Sequence, residues 1–245
     1  MNAEIRPSHF WHQKDPEKSF SERALRLLSR IECRRADSVK EREAIFRLRR
    51  QAYHHRDGAC LPDSFGAVSD HYDEAKNTYL FAFYVDGELA SSLRLHIGSP
   101  ECPIVPSLKV FRGQLQGEFA ARKILIETSR LVTSEKLSRR HRELPYVTLR
   151  FCTLAAEYFS AHYWLAVVGA EHRPFYQRAF NHRLVSESRP SPRPDTPCSL
   201  MMLDFPSAAN ELYRKYPFFR SSTFERRRVF ERQQHSVYTI PGLHS

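Results

Sequence analysis

The sequence predicts an α/β domain in which a mixed β-sheet is flanked by helices. Two observations predict this class. Segments that alternate apolar and polar residues, as half-buried strands do, are interleaved with segments whose apolar residues recur at helical spacing. In addition, hydrophobic residues make up 41% of the 245 residues, which is enough for a substantial core. The predicted order is β-α-β-β-β-α-β-α-β-β, with long connections on either side of the first hairpin.

The chain divides into three predicted parts. They are an N-terminal arm and helix over 1–28, a main domain over 29–205 and a basic C-terminal helical extension over 206–245. In the first part, Ser19-Phe-Ser-Glu22 has the pattern of a capping box, in which a Ser and a Glu three residues later cap a helix start. The last part has an excess of basic over acidic residues and is predicted to form one or two helices.

The main domain opens with a strand and a helix. Arg30–Arg35 alternates Ile31 and Cys33 with charged residues, which is the period of a half-buried strand. A helix capped by Asp37 or Ser38 then runs to about Tyr53 because its apolar residues form one stripe. That stripe consists of Ala44, Ile45, Leu48 and Ala52.

A β-hairpin follows the first helix. Thr78–Val85 is rich in residues that favour strands, and Asp86-Gly87 is a strong signal for a two-residue hairpin turn. Glu88–Ile97 is the returning strand. The connections on either side, residues 54–77 and 98–122, are predicted to be irregular, and a connection as long as the first is often functional.

The second half of the main domain continues the alternation of strands and helices. A helix over about 147–158 has apolar residues at helical spacing, and Tyr163–Val168 is an apolar run of strand length. Glu171–Phe180 is predicted as a short helix with a proline in its first turn. Leu184–Glu187 and Ser199–Leu203 are the last predicted strands.

Between the hairpin and this second half, the segment Ile124–Thr133 places charged residues inside an apolar strand. Because side chains alternate along a strand, Glu127 and Ser129 are expected on one face and Arg130 on the other. A buried acid or base costs desolvation free energy unless it is paired. The segment is therefore either a structural ion pair inside the sheet or part of a functional site.

Composition restricts the partners and the compartment. The formal net charge of +10 favours acidic partners, namely nucleic acid, an anionic membrane surface or an acidic protein. No nucleic-acid-binding motif is present, so we expect no nucleic-acid partner.

No apolar run approaches the roughly 20 residues of a membrane span and the N-terminus lacks a signal core, so we expect a cytoplasmic protein. The five scattered cysteines predict reduced, mostly buried thiols.

Several polar residues occupy apolar positions or cluster in the first long connection. They are Arg49, Tyr53, Asp70, Asp73, Arg94, Glu127, Ser129 and Arg130. Asp70 and Asp73, three residues apart, suit either a metal ion or a salt-bridge network. Arginines and acids in equal number favour the network, and we expect no metal. Such a network either shapes a pocket or only fastens the long connection to the sheet.

The order of these residues resembles that in acyl-homoserine-lactone synthases and, more closely, in long-chain N-acyl amino acid synthases. Those families have L-R-x-x-x-F/Y on a helix, D-x-x-D in a loop, R-L on a hairpin strand and E-x-S-R on a later strand. The matching segments are Leu48-Arg49-Arg-Gln-Ala-Tyr53, Asp70-His-Tyr-Asp73, Gly87 through Arg94-Leu95 and Glu127-Thr-Ser129-Arg130. The resemblance covers about residues 30–205 and implies a GNAT (acyl-CoA N-acyltransferase-like) fold, with the acyl group taken from acyl carrier protein.

The chemistry of acyl transfer suggests catalytic roles. Glu127, or a water it holds, is the candidate base for the acceptor amine, and its alternative role is positioning. Arg173-Pro-Phe-Tyr176 resembles a helix segment of GNAT enzymes, so Tyr176 either protonates the leaving thiolate or is a buried core residue. Arg49 or Arg94 either binds an acceptor carboxylate or, as the resemblance implies, belongs to the network. The strands around 127–133 and 163–168 are expected to separate, which would let a pantetheine arm insert between them.

The segment after Thr133 bears on the donor. GNAT enzymes that use coenzyme A usually have a glycine-rich turn there, whose N–H groups hold the pyrophosphate. Here residues 134–145 contain no glycine, which suits a carrier-protein donor. Arg139, Arg140 and Arg142 are the predicted docking residues for an acidic carrier protein. The alternative is a solvated basic helix start, although basic residues there oppose the helix dipole.

The sequence therefore predicts an N-acyltransferase that moves a fatty acyl group from acyl carrier protein to the amine of an amino acid. Its donor is the acyl-phosphopantetheine of the carrier protein, with no bound cofactor, and the basic C-terminus is a candidate for peripheral membrane contact. Two alternatives stay open. One is an acyl-homoserine-lactone synthase that uses S-adenosylmethionine, although residues 54–57 lack the Trp common in that family. The other is a non-catalytic GNAT-like module that binds acidic partners.

Overall fold

The structure of the protein is a computed structural model that describes residues 19–57, 68–190, 197–231 and 237–239. The strands are β1 Ile31–Arg35, β2 Thr78–Val85, β3 Glu88–Gly98, β4 Leu125–Thr133, β5 Tyr163–Val168, β6 Arg183–Arg189, β7 Cys198–Asp204 and β8 Val237–Thr239. The helices are α1 Phe20–Leu28, α2 Val39–Asp57, α3 Leu108–Ala120, α4 Glu135–Arg140, α5 Leu144–Tyr158, α6 Arg173–Phe180, α7 Phe205–Lys215 and α8 Thr223–Phe230.

The strands form one sheet in the order β6-β7-β5-β4-β3-β2-β1-β8. The pair β4–β5 is parallel, and the other neighbours are antiparallel. The predicted mixed sheet is therefore confirmed. Strand β8, which pairs with β1 at one edge, was not predicted, because the C-terminal segment was expected to be helical.

Local sequence signals position the first helix and the hairpin as predicted. The Glu22 carboxylate accepts the Ser19 N–H at 2.7 Å and the Ser19 hydroxyl accepts the Glu22 N–H, which completes the capping box of α1. Asp86 and Gly87 have φ values of 49° and 82°. Two successive left-handed residues are what a type I′ turn requires, so this dipeptide sets the register of β2 and β3.

The connections around the hairpin are more ordered than predicted. Helix α2 extends to Asp57, and Asp70 caps a short 3-10 turn over His71–Glu74, while residues 58–67 of this connection lie outside the described residues. The second connection, 98–122, contains α3 and was wrongly predicted to be irregular. Its glycines lower helix propensity and obscured the pattern of the residues that face the sheet. The buried residues of α3 are Phe111, Leu115 and Phe119.

Helices cover both faces of the sheet. On one face α5 packs at the centre of the main core, which also contains buried residues of α1, α6, α7 and α8. On the other face α2 covers the β1–β3 side and α3 covers β4, β5 and β7.

The C-terminal helices pack into the core. The buried Arg150 of α5 donates to the carbonyl oxygens of Phe218 and Arg220 at 2.6 and 2.7 Å and pairs with Glu225 of α8. Phe218 and Phe219 are fully buried. The predicted helices of this segment are present, and α5 holds them through a buried cation.

Two predictions from composition can be compared with the structure. In the part of the chain that the structure describes, no helix is both long enough and apolar enough to cross a membrane. Cys33, Cys152 and Cys198 are buried, as predicted, whereas Cys102 is half-buried. Cys60 lies outside the described residues.

Candidate active site

A cleft of about 770 Å³ passes through the sheet where β4 and β5 separate. The two strands are paired from Leu125↔Tyr163 to Thr128↔Ala166, and the residues that follow on both strands line the cleft. This separation confirms the expectation for these two strands. The cleft lining includes residues of α2, the 70–72 turn and the start of α3 on one side, and of α5 and α6 on the other. Its volume is in the range of ligand-binding pockets.

A β-bulge in β4 redirects the charged residues of this strand. Arg94 is opposite Ser129 and Ser92 is opposite Val132, so two residues of β4 occupy the place of one, and Arg130 has a left-handed φ of 53°. Bulges re-aim side chains and are common beside active sites. The expectation that Arg130 points away from the face of Glu127 and Ser129 is wrong, because the bulge shifts the alternation by one residue.

Asp70 joins two guanidinium groups at the edge of the cleft. Its Oδ1 is 2.5 Å from Arg94 Nη1 and its Oδ2 is 2.7 Å from Arg130 Nη2. Burial alone would raise the pKa of Asp70, but the charges and hydrogen bonds of the two arginines outweigh it and hold that pKa well below its usual value. Arg130 Nη1 also contacts the Tyr53 hydroxyl at 3.4 Å. Asp70 is therefore ionised at any physiological pH.

Asp73 completes the same network below the surface. Its side chain and that of Arg49 are 1% and 0% exposed, and Arg49 Nη1 lies 3.0 and 3.1 Å from its two oxygens. Arg94 Nη1 is 3.1 Å from Asp73, and Arg94 Nε donates to the Ser129 hydroxyl at 2.9 Å. Burial lowers the pKa of Arg49, and the charge of Asp73 opposes this. Arg49 does not line the cleft.

Glu127 is a second carboxylate of the cleft, and its pKa is shifted in the opposite direction to that of Asp70. It is 1% exposed, and its Oε2 accepts the backbone N–H of Ser107 at 2.9 Å. Burial raises its pKa to about 7, and hydrogen bonding by Ser107 and the charge of Arg94 offset this only in part. A carboxyl group that titrates near neutrality can exchange protons at the pH of the cell.

Tyr176 lines the cleft from α6. It is 6% exposed and packs edge-on against Phe175 and His182. Burial, followed by the neighbouring Cys152, raises the pKa of this phenol above its usual value. The hydroxyl therefore remains protonated and can donate a proton.

The three arginines predicted to dock a carrier protein do not line the cleft. Arg139, Arg140 and Arg142 are exposed and lie in or just after the last turn of α4, where Arg139 pairs with Glu135. Cations are favourable at the C-terminal end of a helix. The argument that these residues oppose a helix dipole is therefore wrong for Arg139 and Arg140, whereas Arg142 directly precedes the N-cap of α5.

Sequence reasoning missed cleft residues that follow Pro106. Ser107 and Lys109 at the start of α3 line the cleft, as do Tyr72 of the 3-10 turn and His172 before α6. The signal for Ser107 was a Ser that precedes apolar residues at helical spacing. No group of three or more His, Cys, Asp or Glu residues among those the structure describes could hold a metal ion.

The fold and the site define the class of the protein. A parallel strand pair that separates around a cleft within a mixed sheet is the arrangement of a GNAT-type N-acyltransferase. The chain belongs to the N-acyl amino acid synthase FeeM family, whose model matches residues 44–204. A comparison with curated proteins finds no match.

Solved structures confirm the GNAT fold. FeeM, an N-acyl amino acid synthase from uncultured soil microbes, is 16% identical with a TM-score of 0.62, over 74% of this chain and 94% of that chain. BjaI, a CoA-dependent acyl-homoserine lactone synthase, is 16% identical with a TM-score of 0.52, over 76% and 89%. MesI, another such synthase, is 17% identical with a TM-score of 0.51, over 79% and 97%.

Proposed function

We propose that the protein transfers a fatty acyl group from the phosphopantetheine thioester of acyl carrier protein to the amine of an amino acid. One observation carries the proposal: the cleft between the separated strands is lined by both a carboxyl group that titrates near pH 7 and a protonated phenol. Glu127 has the property of a base and Tyr176 that of an acid. Family membership supports the N-acyl amino acid product.

The reaction requires three proton transfers. An amino acid arrives as an ammonium ion, so its nitrogen loses two protons for each amide formed. The first proton is lost to solvent, and Glu127, or a water it holds, takes the second as the nitrogen attacks the thioester carbon. As the carbon–sulfur bond breaks, Tyr176 gives a proton to the thiolate and is reprotonated from solvent. No oxidant or reductant is needed.

The separated strands suit the donor. A pantetheine arm is a chain of amides that can bind alongside a strand through backbone hydrogen bonds. Beyond Thr128↔Ala166 the two strands no longer bond to each other, so backbone groups of β4 can bind this arm and polarise the thioester carbonyl. Apolar side chains of the cleft suit a fatty acyl chain. They include Val110, Leu131, Val167, Val168 and Phe175.

The start of α5 favours a carrier-protein donor over coenzyme A. Glu143 stands at the N-cap position of this helix without a side-chain capping hydrogen bond, and its buried carboxylate pairs with Arg23 at 2.5 Å. Pro145 removes a backbone N–H from the first turn. Both features disfavour a pyrophosphate at this helix N-terminus. BjaI and MesI are CoA-dependent by description, so the choice of donor needs a direct test.

Among the described residues of the cleft, Lys109 is suited to bind the acceptor carboxylate. Arg94 and Arg130 are bound by Asp70, and Arg49 lies outside the cleft. Lys109 is exposed in the cleft lining, two residues from the N–H that holds Glu127. An α-amino acid bound through Lys109 would bring its amine toward Glu127.

The test is incubation of the protein with acyl carrier proteins of several chain lengths, the matching acyl-coenzyme A compounds and a pool of amino acids, followed by mass spectrometry. We expect N-acyl amino acids from the carrier-protein donors and far less product from Glu127→Gln. Product from coenzyme A alone would contradict the donor assignment. No product from any donor would favour the non-catalytic module, and a lactone product that requires S-adenosylmethionine would favour the lactone synthase.

The docking assignment has its own test. Replacing Arg139, Arg140 and Arg142 by Gln should raise KM for acyl carrier protein about tenfold at low salt, because charged patches accelerate association. The matched control removes three exposed arginines elsewhere, Arg26, Arg47 and Arg214. An equal effect in both variants would show that only net charge matters. Membrane contact through the C-terminal segment stays a prediction.

A further inference from the structure

Ser107 has a buried hydroxyl group that the mechanism above does not use. The residue is 2% exposed at the start of α3 and lines the cleft. Its Oγ lies near the Glu127 carboxyl but meets the geometry of a hydrogen bond with no residue in the described ranges. A buried hydroxyl without a hydrogen-bond partner costs folding free energy, so its presence in a cleft points to a ligand that forms a hydrogen bond with it.

The position of this hydroxyl relative to Glu127 limits what the ligand can be. The Ser107 backbone N–H holds Glu127 Oε2 at 2.9 Å, and the Ser107 hydroxyl is close enough to lower the pKa of that carboxyl. The Ser107 N–H thereby leaves the second oxygen, Oε1, for the substrate. One residue therefore supplies the contact that orients the base and, beside it, a second hydrogen-bond acceptor.

We propose that Ser107 Oγ accepts one N–H of the acceptor amine while Glu127 accepts the other. This inference rests on the proposed function and adds a restriction on the acceptor. A neutral primary amine has two N–H groups and one lone pair, so two acceptors fix the direction of the lone pair toward the thioester carbon. A secondary amine has only one N–H and cannot satisfy both. The site is therefore built for primary amines.

The effect of replacing Ser107 should depend on whether the acceptor amine has two N–H groups or one. Wild-type protein should acylate a primary amino acid at least about tenfold better than its N-methyl analogue. Ser107→Ala should lose about tenfold in kcat/KM on the primary amine, mainly through the acceptor KM, and less than about threefold on the analogue. Ser107→Thr, which keeps a hydroxyl, should recover part of the loss. KM for the acyl thioester should not change.

Two controls separate a substrate contact from a structural effect. Ser92 of β3 is also fully buried with an unpartnered hydroxyl but does not line the cleft, so Ser92→Ala should affect both substrates equally and little. Ser107→Ala removes an unpaired group and should unfold at no lower temperature than wild type. Calorimetric titration of the free amino acid measures acceptor binding without turnover.

The outcomes are distinguishable. Equal losses on the primary amine and its analogue, or a change in KM for the thioester alone, would overturn the role of Ser107 while leaving the proposed function intact. Absence of product from wild-type protein with every amine would instead overturn the proposed function. In that case, calorimetric binding of a primary amine that Ser107→Ala weakens and Ser107→Thr restores would still support the contact, and equal binding by all three proteins would reject it.

Discussion

Two carboxylates line the same cleft and differ in their partners and in the direction of their pKa shifts. Asp70 accepts hydrogen bonds from two guanidinium groups, whereas Glu127 makes no ion pair within the described ranges and is held by one backbone N–H. The pKa of Asp70 consequently lies well below its usual value, and that of Glu127 is raised to about 7. The difference teaches that the partners of a buried acid, more than its side-chain type, decide between a structural and a catalytic role.

The largest expected effect is on the rate of acyl transfer. Glu127→Gln keeps the size of the side chain and an oxygen for the Ser107 N–H but removes the base. We expect kcat/KM to fall about 10²- to 10⁴-fold, the usual range for loss of general-base catalysis. Steady-state product formation measures this. A loss of less than about threefold would mean that Glu127 only positions other groups.

The free energy of unfolding tests whether the network of Asp73 and its arginines stabilises the fold. Asp73→Asn leaves the buried Arg49 without its carboxylate and removes one of the two carboxylates that pair with Arg94, so the free energy of unfolding should fall by about 3–5 kcal/mol. Urea denaturation at pH 7 measures this. The control is Asp37→Asn, which removes an exposed partner of Arg35 and should cost about 1 kcal/mol or less. Similar losses in both variants would contradict a stabilising network.

Glu127 should also affect stability, in a pH-dependent way. Because its folded pKa of about 7 exceeds the value of 4.5 of an unperturbed glutamic acid, the folded protein binds an extra proton between these pH values, and wild-type stability falls as pH rises through them. Glu127→Gln does not titrate. The variant should therefore gain stability relative to wild type from pH 4.5 upward, reaching on the order of 3 kcal/mol above pH 7. Denaturation at pH 5 and pH 8 checks the sign; a gain that is equal at both would refute it.

The smallest expected effect concerns Tyr176. Tyr176→Phe should lower kcat about tenfold with an alkyl thioester, because an alkyl thiolate leaves poorly without a proton. An aryl thioester, whose thiolate is a better leaving group, should be affected much less. Comparison of the two donors measures the role of the phenol. Equal loss with both would assign Tyr176 to packing against Phe175 and His182.

The parts of the fold that could be predicted were those set by neighbouring residues. The Asp86-Gly87 turn, the capping box at Ser19 and the apolar strands at β2, β4 and β5 each have a local signal. Helix α3 was missed because Gly113 and Gly117 interrupt its pattern, although tertiary packing of Phe111, Leu115 and Phe119 stabilises it. Tertiary burial thus outweighed local propensity.

The same distinction applies to the site. The acids and arginines could be found because charged residues stand out in apolar segments. The direction of Arg130 could not, since a bulge depends on pairing between β3 and β4 rather than on the residue itself. Ser107 had a local signal as a helix start, but its contact with Glu127 could not be predicted, because only the fold brings together two residues twenty positions apart.

The separation of β4 and β5 has a consequence for kinetics. The cleft is lined from both faces of the sheet, so the thioester and the amine can enter it from opposite sides and be bound at the same time. We therefore expect a ternary complex with direct transfer rather than a covalent acyl-enzyme. Initial-velocity plots at several concentrations of both substrates should intersect instead of running parallel.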